Sequence, residues 1–292
     1  MPLDQYHDYQ DQEEKEKETI EVKRTDEMNF WEHLEELRKR IMRSLIALII
    51  AVIGVFSMGE WLFLKVIYAP VKKDFVTYGF MCKIGDATGL KGLCITPPDV
   101  KLITIEFGEM FFKHMQVSLV LGLLVSSPMI FWQIWQFIKP GLMAAEIKAA
   151  RGFVFICSSL FIMGVLFGYF VVAPFAISFL ANYTMGGIGG TSSVNSYVSY
   201  LTMFTLPLGI VFELPIIIFF LSKIGIVTPK MLKQYRRHMI VILLIVAGII
   251  TPSPDIVSQL LVGVPLYLLY EVGIVVSKRV YEQKRKREEE NR

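Results

Sequence analysis

The interior of this sequence is a series of apolar runs separated by short polar stretches, and no other feature constrains the fold as strongly. Charged residues gather in residues 1–43 and 278–292, at the two ends of the chain. Of the 292 residues, 53% are hydrophobic and only 20% are charged, against about 25% charge in a soluble chain. A soluble globule needs a charged surface around its core, so the pattern predicts a polytopic membrane protein. The same composition excludes disordered, collagen-like and disulfide-dense secreted chains.

Six apolar runs are candidate membrane-spanning helices, since a helix needs about 20 apolar residues to cross a hydrocarbon core of about 30 Å. They are Ser44–Trp61, Val117–Ile138, Phe153–Pro174, Tyr197–Leu221, Met239–Ile250 and Ile256–Val276. The second span and its polar lead-in make a helix of about 50 Å, which should project beyond the membrane or tilt strongly. The fifth run supplies only about 18 Å of helix. It is expected either to cross a locally thinned bilayer or to form a hairpin with the sixth.

Lysine and arginine near the span ends predict which side of the membrane the termini occupy. One side collects the basic stretches Arg38–Arg43, Lys139–Arg151, Lys223–Arg237 and Lys278–Arg279. The loop Asn182–Ser196 on the other side carries no charge. Several lysines in the loop between spans one and two weaken this bias. The balance still predicts that both termini are cytoplasmic.

Charge also divides the chain into three parts. Residues 1–28 are acidic and mixed in charge, which predicts a disordered cytoplasmic tail without a cleavable signal. Residues 29–279 are expected to form the membrane domain, and residues 280–292 a charged cytoplasmic tail. The net formal charge of +3 gives no indication of a nucleic-acid partner.

An amphipathic helix is expected just before span one, in Asn29–Ile41. Its apolar stripe is Phe30, Leu34, Leu37 and Ile41. Glu35 with Lys39, and Glu36 with Arg40, have the spacing of i,i+4 ion pairs. The helix is expected to lie along the cytoplasmic interface and lead into span one. Judged by its residues alone, its charges could form only a solvated, self-paired face.

Glu213 lies near the middle of span four, at a depth where a carboxylate is costly unless it is neutral or partnered. Pro215 follows in the run FELP and cannot donate to the carbonyl oxygen of Val211, so a kink beside the acid is expected. The acid could bind a polar group on another helix or a solute, or it could make a structural hydrogen bond inside the bundle. An ionisable residue at this depth favours a functional role.

Three prolines, Pro128, Pro207 and Pro265, are expected to interrupt spans two, four and six and to produce a concave bundle. Glu271, near the cytoplasmic end of span six, is expected to reach the interface or a nearby basic residue. Asp255 could cap the sixth helix.

The three cysteines and the missing catalytic motifs limit the chemistry. Cys82 and Cys94 share the long loop between spans one and two, so a disulfide is plausible if that loop faces an oxidising compartment; two unpaired thiols are the alternative. Cys157, inside span three, is expected to be a packing residue. The sequence contains no HExxH or GxSxG motif, no pair of intramembrane aspartates and no metal-ligand spacing. The chain is therefore expected to be no enzyme and to need no cofactor.

Several motifs resemble, in order, those of the TatC family, the receptor subunit of the twin-arginine protein translocase. They are HLEELRKRI, SSPMIFWQIWQFIKPGL, YFVVAPF, FELP, TPSPDIVSQLL and LYEVGIVVSKR. The resemblance covers about Phe30 to Arg279. It implies an all-α, glove-like bundle of six transmembrane helices in the bacterial inner membrane, with both termini cytoplasmic and short last spans.

The resemblance also implies a function. The family binds the twin-arginine signal peptides of folded cargo, assembles with TatA/TatB-type single-span partners and with further copies of itself, and supports transport driven by the proton-motive force. A secondary transporter that uses Glu213 as a proton or cation site is the alternative, although no inverted repeat is evident between residues 44–174 and 197–276.

By position in the motifs, Glu36 and Glu146 match the two cytoplasmic acids that receive the arginine pair. A guanidinium is a planar fork that a carboxylate accepts with two hydrogen bonds, and lysine matches this geometry poorly. Arg38 and Arg40 would orient the acids, and Phe137 would help to shape the loop that bears Glu146.

The remaining assignments are intramembrane and structural. Glu213 and Gln259 would be polar contact sites for partners. The positions with structural roles would be Pro70, Pro128, Pro140 and Asp255. This sequence departs from the family pattern in its long first loop with the cysteine pair, its extended acidic N-terminal tail, and its TPSPD turn, which is one residue longer than the commoner TPPD form.

Overall fold

The computed structural model describes residues 30–89, 94–95, 97, 101–139, 152–183, 192–251 and 256–290, and most of them are helical. The helices are α1 (Phe30–Phe56), α2 (Gly59–Leu62), α3 (Val76–Thr88), α4 (Glu109–Ile138), α5 (Phe153–Phe167), α6 (Ala173–Asn182), α7 (Val194–Val211), α8 (Leu214–Ile224), α9 (Pro229–Gln234), α10 (Arg236–Ile250) and α11 (Ile256–Glu290). Two π-helical turns, Phe63–Ile67 and Gly168–Val172, and a 3-10 turn, Ala69–Val71, connect some of them. The strands β1 (Leu102–Ile103) and β2 (Ser192–Ser193) pair in parallel.

Within the described ranges, four helical stretches are long and apolar enough to cross a membrane. They are Glu109–Ile138, Phe153–Asn182, Val194–Ile224 and Gln259–Lys286. A fifth is added if His33–Phe56 and Gly59–Ala87, bent by 80° at their junction, count as one broken span. Helix α10 has 15 residues, about 22 Å, which is too short to cross the core unaided. The multi-pass helical class is therefore confirmed, and the number of six spans stays a prediction.

Helix α1 is an unbroken helix of 27 residues that joins the expected amphipathic segment to span one. The segment therefore leads directly into span one, as expected, and its position along the cytoplasmic interface stays a prediction. Leu34 and Ile41, from the apolar stripe, are exposed. The neighbouring face, about a quarter turn around the helix, carries His33 and Arg40, which contact α4.

Span one ends at Phe56 and not, as expected, at Trp61. The chain turns at Ser57, whose hydroxyl donates to the carbonyl oxygen of Gly54 at 2.7 Å. Beyond the turn, Gly59 lies against the imidazole of His114, where any side chain would collide with the ring. The apolar run continues through the turn, and composition alone therefore places the end of the span too late.

Span three continues past its expected end at Pro174 to Asn182. Pro174 stands in the first turn of α6, directly after the π-turn Gly168–Val172. Local π adjustments of a membrane helix can accommodate the missing backbone donor of a proline. The chain can therefore accommodate Pro174 without ending the span.

The expected interruptions at Pro128, Pro207 and Pro265 are wrong. All three prolines lie inside helices that continue past them, in α4, α7 and α11 respectively. Neighbouring helices and local adjustments of the backbone allow proline within membrane helices.

Span four breaks instead at Phe212 and Glu213, between α7 and α8. Pro215 lies in the first turn of α8, and its missing N–H cannot complete the hydrogen bond to Val211. Glu213 precedes α8 with φ −75° and ψ −3°. The kink expected beside Glu213 is therefore a two-residue interruption within a helical stretch that continues from Val194 to Ile224.

Three glycines allow the backbones of α5 and α7 to come into contact where the two helices cross. A Cβ added to Gly164 would lie 2.6 Å from the carbonyl oxygen of Leu208 and 2.9 Å from the Cα of Gly209. One added to Gly168 would lie 2.6 Å from the carbonyl oxygen of Phe204. Small residues four apart allow this approach of membrane helices, where dispersion contacts replace the hydrophobic effect.

The last helices share the hydrophobic core of the bundle, and α8 lies along α11. A buried hydrogen bond of 2.7 Å joins the hydroxyls of Ser222 and Ser277. The phenol of Tyr270 donates to the carbonyl oxygen of Leu232 at 2.7 Å and ties α9 to α11. Helix α11 continues beyond residue 279 to Glu290, so the membrane domain and the charged C-terminal tail share one helix.

The glycine crossing generates a stability prediction. Gly164→Ala places a methyl group against the backbone of α7, and overpacking of this kind costs about 1–3 kcal/mol. We expect a lower thermal unfolding midpoint for the full chain in detergent. Gly54→Ala is the matched control, since nothing lies within 4 Å of its added Cβ and alanine favours the helix. Equal midpoints for the two variants would contradict the close crossing.

Candidate functional sites

The bundle has two ends, because α1 and α4 pack antiparallel. At the Glu36 end, where α1 begins and α4 ends, Arg40 contacts Gln133. At the cap end, where α1 ends and α4 begins, Phe56 stacks on His114 with ring centroids 4.0 Å apart. Among the described residues, Glu36 lies at the first of these ends and Glu213 at the interruption of span four.

The carboxylate of Glu36 is held at the Glu36 end by Arg40. The Nη2 of Arg40 donates to Glu36 Oε1 at 2.9 Å, and its Nη1 donates to Gln133 Oε1 at 3.4 Å. The Glu36 and Arg40 side chains are only 23% and 22% exposed. The neighbouring pair of Glu35 and Lys39, at 2.8 Å, is more than 60% exposed on both sides. Both expected ion pairs are therefore confirmed, but only that of Glu36 is sheltered by a second helix.

Phe137 completes this arrangement from α4. Its ring stacks on the imidazole of His33 with centroids 4.5 Å apart. The stacking and the Arg40–Gln133 bond join the first turns of α1 to the last turns of α4. The fold therefore brings Glu36, Arg40 and Phe137 together.

The other residues expected near this end are less completely defined. Arg38 is exposed on α1. Glu146, Pro140 and Asp255 lie outside the described residues. Sequence reasoning missed His33 and Gln133, although a glutamine in the apolar run FWQIWQF was a usable signal.

Glu213 is buried, with 9% of its surface exposed. Its Oε1 has no hydrogen-bond partner among the described residues. The Cys157 thiol of α5 lies beside the carboxyl group. A buried acid with one unsatisfied oxygen at a helix break can accept a hydrogen bond from an incoming polar group.

The polar residues of the last two helices are used within the chain. Gln259 Nε2 donates to the carbonyl oxygen of Leu244 at 3.0 Å, which joins α11 to α10. Glu271 accepts from Arg236 and from the phenol of Tyr267, both at 2.8 Å. The expectation that Glu271 reaches a nearby basic residue is confirmed.

The remaining expected structural residues lie at the cap end or within α4. Pro70 is fully buried in the 3-10 turn, and its carbonyl oxygen accepts from the phenol of Tyr78. Pro128 lies inside α4. Cys82, in α3, is paired with Cys94 as a disulfide. The pairing connects α3 to the segment that leads towards β1.

A buried carboxylate that the sequence reasoning did not single out holds the cap end together. Glu109 accepts hydrogen bonds from the backbone N–H groups of Ile105 at 2.7 Å, Glu106 at 3.1 Å and Asn195 at 2.6 Å. It therefore joins the start of α4 to the start of α7. The donor on Asn195 is 86 residues away in sequence, so no local pattern predicts this bond.

An apolar cavity of about 390 Å³ opens beside this polar clamp, between α4, α5 and α7. Its walls include Lys65, Leu121, Val165, Tyr169, Leu201 and Thr205. Between α4 and α7, the ammonium of Lys113 donates to Gln116 at 2.7 Å and to Ser199 at 3.0 Å. The cavity can receive an apolar chain or segment.

Comparison with known proteins gives a consistent result. The family described as "Sec-independent protein translocase protein (TatC)" matches residues 32–265. A TatC of Blattabacterium is 36% identical over 261 residues, which cover 88% of this chain and 98% of the relative. A TatC of Helicobacter pylori J99 is 37% identical over 248 residues, covering 85% and 88%.

Two solved structures are also similar. A crystal structure of the twin-arginine translocase receptor TatC in DDM has a TM-score of 0.65 and 32% identity, and covers 84% of this chain and 99% of its own. A second crystal structure of the same receptor has a TM-score of 0.60 at 32% identity, with coverage of 85% and 99%. The likeness therefore extends over nearly the whole of those chains.

Glu109 generates a prediction about the cap end. In Glu109→Gln the side chain keeps one acceptor oxygen, so at least one buried backbone N–H loses its partner, at a cost of about 1–3 kcal/mol. We expect a lower unfolding midpoint and faster proteolysis near residues 101–108. The control is Glu106→Gln, which changes an exposed side chain of the same segment. If the two variants unfold alike, Glu109 does not clamp this end.

Proposed function

We propose that this chain, which belongs to the TatC family of Sec-independent protein translocase proteins, receives twin-arginine signal peptides at its Glu36 end. One observation carries the proposal: in the pair with Arg40, the carboxylate of Glu36 is sheltered between α1 and α4 rather than solvated like that of Glu35. A preoriented, partly desolvated acid is suited to accept a second guanidinium.

The chemistry of this site favours arginine over lysine. Arg40 donates a hydrogen bond to Oε1 of Glu36, and no described side chain donates one to Oε2. An incoming guanidinium can bond Oε2 with one arm of its fork and present its other N–H groups to a second acceptor. A lysine ammonium is a compact point charge that loses its strong hydration for the same contact. Glu146 is the proposed acceptor for the second arginine.

The proposed topology places the Glu36 end in the cytoplasm, with six spans in the inner membrane and both termini inside. The basic stretches Arg38–Arg43 and Lys223–Arg237 support this orientation. The proposed division into a cytoplasmic tail (1–28), a membrane domain (29–279) and a charged C-terminal tail (280–292) follows the same charge pattern. Arg38 would add positive charge that orients Glu36.

Single-span TatA/TatB-type proteins are the proposed partners, together with further copies of this chain, and the proton-motive force would drive transport. Glu213 is the proposed contact for a polar group on a partner helix or a signal peptide. Its support is the unsatisfied Oε1 at a break in span four. Gln259 is the weaker candidate, because its amide already bonds the backbone of α10.

Recognition of the arginine pair can be tested by crosslinking. A twin-arginine peptide carrying a photoreactive group should label the purified complex of this chain and its partners, and the Lys–Lys peptide should label it weakly. Glu36→Gln removes a charge-assisted acceptor, for which a loss of about 1.5–3 kcal/mol, or at least about tenfold in affinity, is expected. Glu146→Gln should act in the same direction.

Glu35→Gln is the matched control, since it removes the adjacent acid of an equally spaced but exposed ion pair. It should label like the unmodified chain. Equal labelling by the two peptides, or equal losses in Glu35→Gln and Glu36→Gln, would contradict the proposed role of Glu36.

The role of Glu213 can be tested separately. Glu213→Ala and Glu213→Gln should reduce copurification of single-span partners, or cargo transport, by about tenfold, which corresponds to the loss of one charge-assisted hydrogen bond. Both variants should still insert and purify, because the group makes few bonds within the chain. Glu60→Gln, an exposed acid of α2, serves as control. Wild-type transport by both Glu213 variants would leave the acid without a function.

A further inference from the structure

A second cavity lies at the Glu36 end, between the last turns of α4 and the first turns of α5. Its volume is about 670 Å³, within the range of about 300–1,000 Å³ that small-ligand sites occupy. It is distinct from the Glu36 pair and from Glu213, because none of its lining residues contacts either group.

Four aromatic side chains line this cavity. Trp135 and Phe153 are buried and pack with ring centroids 4.9 Å apart. Trp132 and Phe155 are 49% and 77% exposed, so the cavity opens sideways onto the surface that faces lipid. Its apolar lining therefore extends the hydrocarbon environment of the bilayer into the protein.

Among the described lining residues, the one charged side chain lies at one end of the cavity, and the serines Ser158 and Ser159 lie further in. Lys139, at the end of α4, and Gly152, just before α5, line its mouth at the Glu36 end. Pro128 and Ile162 line the opposite end, about 16 Å deeper along α4. The N-cap of α5 is Gly152, which has no side chain to accept from the first backbone N–H groups, so these groups add to the positive potential of Lys139.

We infer that this cavity binds an anionic phospholipid, with its phosphate at Lys139 and one acyl chain between the rings of Trp132 and Phe155. A cation at the membrane surface and an apolar channel that runs inward match the two halves of such a lipid. A free phosphate would use only the mouth, and an apolar partner helix would leave the ammonium without a counter-charge. The site works independently of signal-peptide binding.

The tryptophans make the site measurable. The chain has four tryptophans, and two of them, Trp132 and Trp135, line the cavity. Trp31→Phe with Trp61→Phe replaces the other two, which are exposed. This full chain would be reconstituted in phosphatidylcholine vesicles with rising fractions of acyl-brominated phosphatidylglycerol or acyl-brominated phosphatidylcholine, and tryptophan quenching recorded.

The brominated phosphatidylglycerol should quench at the lower mole fraction. Lys139→Gln should raise its half-quenching fraction about fivefold, the effect of one basic residue near a membrane surface. Lys139→Arg should restore it, and Lys230→Gln, an exposed lysine of α9, should leave it unchanged. Ser159→Phe, which fills the cavity without changing charge, should abolish the preference for the anionic lipid.

Three results would overturn the inference. They are equal quenching by the two lipids, an equal shift in Lys139→Gln and Lys230→Gln, and displacement of the lipid by excess inorganic phosphate or by a twin-arginine peptide. Peptide crosslinking to Lys139→Gln should match the unmodified chain, so a failure of this site is distinguishable from a failure of the proposed receptor function.

Discussion

The glycine crossing of α5 and α7 is the contact on which the centre of the structure depends. Gly164 and Gly168 allow the backbone of α7 to approach α5, and Gly209 lies against Phe161 and Val165 from the other side. The crossing ends where span four breaks, so Glu213 comes to lie beside Cys157 on α5. Bulkier residues at the crossing would separate the helices and expose the acid to lipid.

Most charged and polar side chains that enter the apolar region are matched within the chain. Glu109 receives three backbone donors, Glu271 receives an arginine and a tyrosine, and Glu36 receives Arg40. This pattern follows from the bilayer, where an unsatisfied polar group has no water to replace its partner. The Oε1 of Glu213 is one of several buried side-chain atoms without a hydrogen-bond partner in the described residues, and it is the one carboxylate oxygen among them.

Sequence reasoning succeeded where a property depends on residues that are close in the chain. The short tenth helix, the ion pair of Glu36 with Arg40 and the break before Pro215 all follow from local spacing or from the chemistry of proline. It failed at Pro128, Pro207 and Pro265, because neighbouring helices can accommodate a proline without a break. It failed at the end of span one because the apolar run continues to Trp61. The contact between Gly59 and His114, beyond the turn at Ser57, joins residues distant in sequence and leaves no mark in that run.

The sequence by itself determined the membrane class, the family motifs and the identity of the acids at Glu36, Glu146 and Glu213, because composition and short motifs are properties of the chain. Only the tertiary structure decided which face of α1 packs on α4, that Glu109 joins two segments 86 residues apart, and that Lys139 opens onto an aromatic cavity. These features arise from contacts between helices distant in sequence. Such contacts depend on how the surfaces of the packed helices fit together, and a local sequence pattern does not predict this fit.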